Sequence, residues 1–181
     1  MELKARNGKV IKKNNKVIKQ FHTPQEHITD EWFDAYSLYE KTYQNVVKVY
    51  EYSPECIVME YIRGKEIDLD QYWYAKEYSY DLYKKFHHLL EQLSKFDTQF
   101  HEFAIQYKKA FYHRDCGHGN MILTADNKIM LIDPDSFRFD YFVDYKKLDQ
   151  LYMTRKIWYE ESSKCANQLL KFAKDKGMLW M

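Results

Sequence analysis

The chain has 181 residues, with 28 Lys and Arg against 27 Asp and Glu, and a net charge of +1. This balance argues against a surface that covers nucleic acid and against an acidic tail, and the length allows one sizeable core or two small lobes. No apolar run approaches the roughly 20 residues that a membrane-spanning helix needs, so no membrane span is expected.

The N-terminus and the cysteines indicate the cellular compartment. Residues 1–8 contain no apolar signal stretch. The three cysteines, Cys56, Cys116 and Cys165, are far apart and form no CxxC pair. Such cysteines are typical of free thiols in a reducing compartment and not of a disulfide framework or a zinc site. A cytoplasmic protein is therefore expected.

The first part of the chain predicts a small strand-rich lobe with one helix. Apolar and polar residues alternate through the first twenty positions, with Asn-Gly at 7–8 and Asn-Asn at 14–15 between the runs. Both pairs suit tight hairpin turns, so three antiparallel strands are predicted. A helical pattern runs from about 24–43, and two further strands are predicted at 46–52 and 56–61.

The remainder predicts a mainly helical lobe. The pattern is helical over 69–107, a short β region follows at 111–132, and 145–174 is helical again. The order of elements predicts an α+β protein with a ligand cleft between two lobes. The predicted N-lobe is 1–63 and the predicted C-lobe is 64–181.

The segment from His113 to Asp133 contains the most informative motif. His113, Arg114 and Asp115, followed by Asn120, match the pattern HRDxxxxN at every fixed position, and Asp133 comes thirteen residues after Asn120. With this pattern the chain resembles the protein kinase superfamily over most of its length. The resemblance implies a two-lobed kinase-like fold and a phosphotransferase that depends on ATP and Mg²⁺ and uses a hydroxyl group as acceptor.

The resemblance also implies a role for each motif residue. Asp115 would orient the acceptor hydroxyl and accept its proton, while Asn120 and Asp133 would bind Mg²⁺ through oxygen atoms, which this ion prefers. Lys19 ends a Val-Ile-Lys run that resembles the VAIK strand of kinases, and it would hold the α and β phosphates. The expected catalytic residues are therefore Asp115, Asn120 and Lys19.

The run Ile-Val-Met-Glu-Tyr-Ile-Arg-Gly that ends at position 64 closely resembles a kinase hinge. By this resemblance Met59 would stand at the back of the nucleotide pocket. The backbone groups of Glu60 and Ile62 would bind the edge of adenine, and Val17 and Ile122 would form apolar walls on its two faces.

The predicted helix of the N-lobe should present a carboxylate to Lys19. An alignment without gaps favours Asp34, whereas a slightly longer loop favours Glu31, which has the longer reach typical of the family. The two residues lie three apart on one helix face. Glu40 is a third candidate. Glu31 is the preferred partner, and the choice stays open.

Several features depart from the kinase pattern. The Gly-rich loop is missing, since only Gly8 precedes Val10, so the lid over the phosphates is expected to be short. Pro134 replaces the Phe of the Asp-Phe-Gly motif and removes an N–H. Asp135 either adds a metal contact or caps a turn. Only 48 residues follow Asp133, and they contain no Ala-Pro-Glu motif, which is too little for the helical platform that binds peptide substrates.

The branch of the superfamily and the acceptor stay open. His118-Gly119-Asn120 is similar to the aminoglycoside and choline kinase-like branch, whereas Arg114 is similar to protein and lipopolysaccharide kinases. The acceptor is therefore either a protein hydroxyl or a small molecule. Asp149 either hydrogen-bonds the catalytic loop or is a surface charge.

Three other interpretations compete with an active kinase. The missing Gly-rich loop favours a pseudokinase that binds a nucleotide or a partner. The motif could also be coincidental in an unrelated α+β scaffold. Finally, His113, Asp115 and His118 contain the HxD half of an iron facial triad, although the predicted helices do not fit the all-β frame that such an oxygenase needs.

Overall fold

The structure is a computed structural model that describes residues 2–5, 8–67, 80–107, 110–115 and 118–140. Of these, the residues before 68 and after 102 form one compact unit, and those from 80 to 102 belong to a second unit. The predicted motif residues all fall in the first unit. The predicted helix at the C-terminal end of the chain and Asp149 lie outside the described residues, and the lobe boundary at residue 63 stays a prediction.

The first unit contains a five-stranded antiparallel sheet with strand order β1-β2-β3-β5-β4. Its strands are β1 (Glu2–Ala5), β2 (Gly8–Lys13), β3 (Lys16–Phe21), β4 (Val49–Ser53) and β5 (Cys56–Glu60). The first three strands confirm the predicted meander, and Asn14 adopts a φ of 55° in the turn between β2 and β3. Ala5 pairs with Gly8, so only two residues connect β1 and β2, as expected for a chain without a Gly-rich loop.

Helix α1 (Asp30–Tyr43) lies between β3 and β4 in the sequence. The Thr29 hydroxyl caps it by accepting a hydrogen bond from the Trp32 backbone N–H at 3.2 Å. The helix begins six residues later than predicted from the pattern that starts at Pro24, because the Gln25 N–H instead donates to the carbonyl oxygen of Pro54. The helical pattern predicts an apolar row at Trp32, Tyr36, Tyr39 and Tyr43. The first three are buried, together with Ala35, and Tyr43 is half-buried.

Two smaller sheets complete the first unit. β6 (Gly64–Glu66), β8 (Met121–Thr124) and β9 (Ile129–Leu131) form an antiparallel sheet, and β7 (Ala110–His113) pairs with β10 (Phe137–Asp140). Short 3-10 helices occupy His118–Asn120 and Pro134–Ser136. The sequence did not predict β6 or β10, because strands of three and four residues are too short for periodicity to reveal.

The segment before β4 joins the large sheet to the β8–β9 hairpin. Val47 N donates to Leu131 O at 3.0 Å, and Leu131 N donates to Asn45 O at 2.9 Å. These bonds explain why β4 begins at Val49 and not at Val46 as predicted. They also fix the β9 strand, which leads directly to Asp133.

The core of the first unit is aromatic. Tyr36 contacts Phe137 edge to face with ring centroids 5.1 Å apart, and Tyr39 contacts Phe103 in the same way at 5.3 Å. Burial of each large side chain contributes about 1.5–3 kcal/mol. Because Phe137 follows the 3-10 helix after Asp133, this core supports the candidate site directly.

Helix α2 (Tyr80–Tyr107) provides the described part of the second unit. It confirms a helix in the region predicted over 69–107. Its buried side chains recur every three or four residues, which is typical of a helix with one apolar face. Among the side chains that the structure describes, they are Phe86, Leu89, Leu93, Phe96, Phe100, Phe103 and Ala104. No described helix is long and apolar enough to cross a membrane.

Candidate active site

One cavity of the first unit, about 440 Å³ in volume, contains most of the predicted site residues. Strands β2, β3, β5, β6 and β8 and the segments after β5 and β9 supply its walls. Its lining residues are Val10, Val17, Lys19, Val47, Met59, Glu60, Tyr61, Ile62, Gly64, Glu66, Asn120, Ile122, Ile132 and Asp133. The cavity therefore combines a predicted hinge, a predicted phosphate-binding lysine and two predicted metal ligands.

Lys19 lies at the charged end of this cavity. Lys19 belongs to the central strand β3 and is only 7% exposed. The ammonium donates to Asp133 Oδ1 and also to Asp135 Oδ1, the latter at 2.7 Å. Burial of a charge is costly unless it is paired, and here one cation is paired with two carboxylates.

The three charges shift one another's protonation. Burial lowers the pKa of Lys19, but the charges of Asp133 and Asp135 outweigh it, so the pKa lies above its ordinary value. Burial acts to raise the pKa of Asp133, yet the Lys19 charge holds it below its usual range. Burial, and then the charge of Asp133, raises the pKa of Asp135 to about 6. The two carboxylates therefore differ in pKa, with Asp133 below and Asp135 above the ordinary value.

A tight turn places the two carboxylates beside each other. Asp133 adopts the left-handed backbone region with φ 67°, which few residues other than glycine occupy but which Asp tolerates. Pro134 then starts the 3-10 helix, and Ser136 Oγ donates to Asp133 Oδ2 at 2.8 Å. Backbone strain of this kind is concentrated at functional sites.

The side chain of His113 contacts this turn, and the residue is only 1% exposed. Its Nε2 lies 3.1 Å from Ile132 O and 3.2 Å from Asp133 O, and its ring contacts Phe137 edge to face. These contacts give His113 a packing role. They do not suit a ligand of an iron facial triad, and the described residues contain no cluster of three or more His, Cys, Asp or Glu that could hold a metal.

Asn120 and Asp115 lie at the two ends of one hydrogen bond. Asn120 Nδ2 donates to the Asp115 carbonyl oxygen at 2.8 Å, while Ile132 N donates to Asn120 O at 2.8 Å. The first bond fixes the amide group so that its oxygen is the atom left for a cation. Asp115 is exposed in the turn after β7 and is not among the cavity's lining residues.

The hinge segment also lines the cavity, through Met59, Glu60 and Ile62. Glu60 N donates to Lys48 O at 2.8 Å and Tyr61 N donates to Asn15 O at 2.9 Å, so the strand is held on both sides. No described residue accepts a hydrogen bond from the Ile62 N–H. Met59 is buried at the same register as Val17, with which it pairs across β3 and β5.

The predicted site residues thus lie in two pockets, except Asp115, which lines neither. Val17, Lys19, Met59, Glu60, Ile62, Asn120, Ile122 and Asp133 all line the cavity. Glu31 lines a different pocket with Asp30 and Asp34, beside Phe103 and Tyr107. The role of each residue stays a prediction.

Two acidic residues at the site were not assigned by the sequence. Asp135 was left open between a metal contact and a turn cap, and it is a partner of Lys19. Glu66 lines the cavity from β6, two residues after the glycine that ends the predicted hinge. The spacing of Glu66 from the hinge could have identified it, whereas no local pattern links Asp135 to a lysine 116 residues away.

The donor set of the site fits a magnesium ion. Asn120 and Asp133 both line the cavity and both offer oxygen atoms, the ligands that Mg²⁺ prefers. Lys19 already places a positive charge against Asp133. Mg²⁺ commonly binds through only one or two carboxylates and completes its coordination with water and phosphate, so a larger protein cluster is not required.

Comparison with known proteins supports the fold. No protein-family model and no curated protein matches the chain. Among solved structures, the chain is similar to the gentamicin complex of APH(2'')-IIa, with a TM-score of 0.52 and 14% identity over 75% of this chain and 64% of that one. It is also similar to the streptomycin–ATP–APH(2'')-IIa ternary complex, with a TM-score of 0.53 and 13% identity over 94% and 84% of the two chains.

At such identities the likeness concerns the fold alone. APH(2'')-IIa is an aminoglycoside phosphotransferase with a protein-kinase-like fold. The predicted fold class is confirmed, since an antiparallel N-lobe sheet with one helix is followed by a helical region. The chain therefore has the protein-kinase-like fold that the segment from His113 to Asp133 indicated.

Proposed function

We propose that this chain is a kinase that transfers the γ-phosphate of ATP to a hydroxyl group, with Mg²⁺ as the metal ion. The observation that carries the proposal is the single cavity lined by Lys19, Asn120 and Asp133 together with the hinge segment. Phosphoryl transfer depends mainly on positioning and on charge stabilisation, and these side chains supply both.

The apolar part of the cavity is suited to the nucleoside. Val17, Met59 and Ile122 form walls for a flat base, while the Glu60 carbonyl and the Ile62 N–H would bind its edge. The Glu66 carboxylate can accept hydrogen bonds from sugar hydroxyls.

The charged part is suited to the phosphates and the acceptor. Lys19 would bind the α and β phosphates, and Asn120 and Asp133 would hold Mg²⁺, which neutralises charge on the phosphate oxygens when bound. Asp115 would orient the acceptor hydroxyl and accept its proton. Its exposure leaves it accessible to an acceptor from solvent.

The acceptor class determines which compounds should be tested first. The neighbouring structures contain gentamicin or streptomycin, so cationic hydroxylated small molecules are the first candidates. Protein hydroxyls are the second, and mass spectrometry after incubation with Mg·ATP would detect phosphate on either.

The decisive experiment compares ATP turnover in the wild type and in Asp115→Asn. Loss of the general base should slow transfer by roughly 10²–10⁴-fold. ATP should still raise the melting temperature of both proteins, since a ligand that binds only the native state must stabilise it. Equal turnover rates would show that Asp115 is not the general base.

A nucleotide-binding pseudokinase is the second candidate. The observation that favours it is the pairing of Ala5 with Gly8, which leaves two residues where kinases have a Gly-rich lid. Tight ATP binding without transfer to any small molecule or protein in a lysate would favour this function over the first.

A further inference from the structure

Lys19 has two carboxylate partners, and the kinase pattern accounts for only one of them. The ammonium contacts Asp133 and Asp135, two residues apart. In the proposed function Asp133 also binds Mg²⁺, and an oxygen that coordinates the metal is no longer a full partner for the lysine. A second anion is then needed to hold Lys19 in place.

We propose that Asp135 is this anion: it positions Lys19 toward the phosphates of ATP, the task for which the sequence suggested a carboxylate of helix α1. The inference rests on the proposed function, because it assigns Asp133 to the metal. Asp135 acts through Lys19 and is therefore a positioning residue.

The environment of Asp135 suits a permanent partner. The residue is 8% exposed, and its Oδ1 lies 2.7 Å from Lys19 Nζ. Asp133 is more accessible, with 24% of its side chain exposed against 9% for Asp135. Asp135 is therefore the carboxylate that is less available to a ligand. It is not among the lining residues of the cavity.

Two side chains hold the backbone of Asp135 in place. Its carbonyl oxygen accepts a hydrogen bond from an Arg138 guanidinium nitrogen and lies 2.9 Å from His27 Nε2. Pro134 fixes φ immediately before it. Two residues further along the chain, Trp32 Nε1 donates to Phe137 O at 3.3 Å. Such support holds a side chain in one orientation, which is what a positioning residue requires.

Helix α1 contributes to this region through packing. Its buried face consists of Trp32, Ala35, Tyr36 and Tyr39. Asp30, Glu31 and Asp34 line the second pocket, and none of the three is among the lining residues of the cavity that contains Lys19. Phe137, at the end of the turn that carries Asp135, is contacted from α1 by Trp32, Tyr36 and Tyr39, all of them aromatic.

A double-mutant cycle tests the proposal. The dissociation constant of Mg·ATP would be measured by isothermal titration calorimetry for the wild type, Asp135→Asn, Lys19→Met and the double variant. Asp135→Asn should weaken binding roughly tenfold, the usual cost of losing a supporting partner. In the Lys19→Met background the same change should cost no more than about twofold, because the residue it positions is absent. A merely structural role would give equal losses in both backgrounds.

A parallel cycle with Glu31→Gln decides between the two carboxylates. No coupling between Glu31 and Lys19 supports the proposal, and coupling of about tenfold overturns it. This second cycle requires no change at Asp135, so it decides the question even if Asp135→Asn fails to fold. Asp126→Asn, an exposed change in the β8–β9 turn, is the matched control for removing a carboxylate.

The outcomes separate this inference from the proposed function. If the wild type binds no Mg·ATP, the proposed function fails and the inference fails with it. If the wild type binds Mg·ATP but Lys19 is coupled to Glu31 and not to Asp135, only the inference fails.

Discussion

Two pockets that described residues of the first unit line are nearly equal in size but differ in where their charges lie. The cavity beside Lys19 measures about 440 Å³ and the pocket beside Glu31 about 450 Å³. Lys19 and the neighbouring Asp135 are buried, whereas Asp30 and Asp34 at the second pocket are exposed. Volume therefore does not identify the site. Buried and mutually paired charges do, because a fold retains them only with their partners fixed.

Helix α1 borders both pockets and serves them differently. Its acidic first turn faces the second pocket. Toward the first, the buried Tyr36 hydroxyl donates to the carbonyl oxygen of Val47, a lining residue of the cavity. The helix thus shapes the wall of the cavity while its carboxylates lie elsewhere.

The largest effect is expected when the buried cation is removed. Lys19→Met should lower the free energy of unfolding by roughly 3 kcal/mol, because it leaves Asp133 and Asp135 close together without the ammonium between them. The value lies at the low end of the range for buried pairs, since 24% of the Asp133 side chain remains exposed. Urea unfolding measured by tryptophan fluorescence would give the difference.

Lys16→Met is the matched control, because Lys16 lies on the same strand β3. Its ammonium is 4.0 Å from Glu51, and half of its side chain is exposed. Such a surface pair contributes less than about 1 kcal/mol. Similar losses for the two lysines would show that burial and pairing of the Lys19 charge do not add to the stability of the fold.

The sequence predicted the parts of this site that depend on local spacing. Asn120 and Asp133 flank one β-hairpin, and a hairpin brings its two ends together, as the bond from Ile132 N to Asn120 O shows. Lys19 and Met59 lie on strands whose alternation was readable in advance, and the register of β3 with β5 then follows from the buried face.

The contact of Asp135 with Lys19 could not be predicted, because the two residues are 116 positions apart and Asp133, next to the turn, has a positive φ. The family pattern also directed attention to α1. Periodicity identified the buried face of that helix correctly. It did not reveal that the neighbouring loop would place Trp32 against Phe137, so the orientation of the acidic first turn stayed open.

The next effect concerns the hinge end of the cavity. A Cβ at Gly64 would clash with the carbonyl oxygen of Leu123 and with Cγ2 of Ile122. Gly64→Ala should therefore force β6 away from β8 and lower the free energy of unfolding by about 2 kcal/mol. It should also weaken ATP binding, since Gly64 and Ile122 both line the cavity.

Gly119→Ala provides the control for Gly64→Ala. A Cβ at Gly119 meets no atom within 4 Å. Its thermal unfolding should therefore differ little from that of the wild type, within about 0.5 kcal/mol. Equal destabilisation by both changes would mean that backbone freedom, and not the close approach of β6 to β8, is what the hinge requires.

The smallest effect is expected at the second pocket. If Asp135 positions Lys19, Glu31→Gln removes a partly exposed carboxylate that the cavity does not use, so the dissociation constant of Mg·ATP should change by less than about twofold, a difference typical of distant sites. The free energy of unfolding should change by no more than about 0.5 kcal/mol. Calorimetric titration and urea unfolding would measure both quantities. A tenfold loss of affinity would show that Glu31 takes part in binding the nucleotide. Helix α1 would then have to rotate when ATP binds, so that Glu31 reaches the cavity beside Lys19.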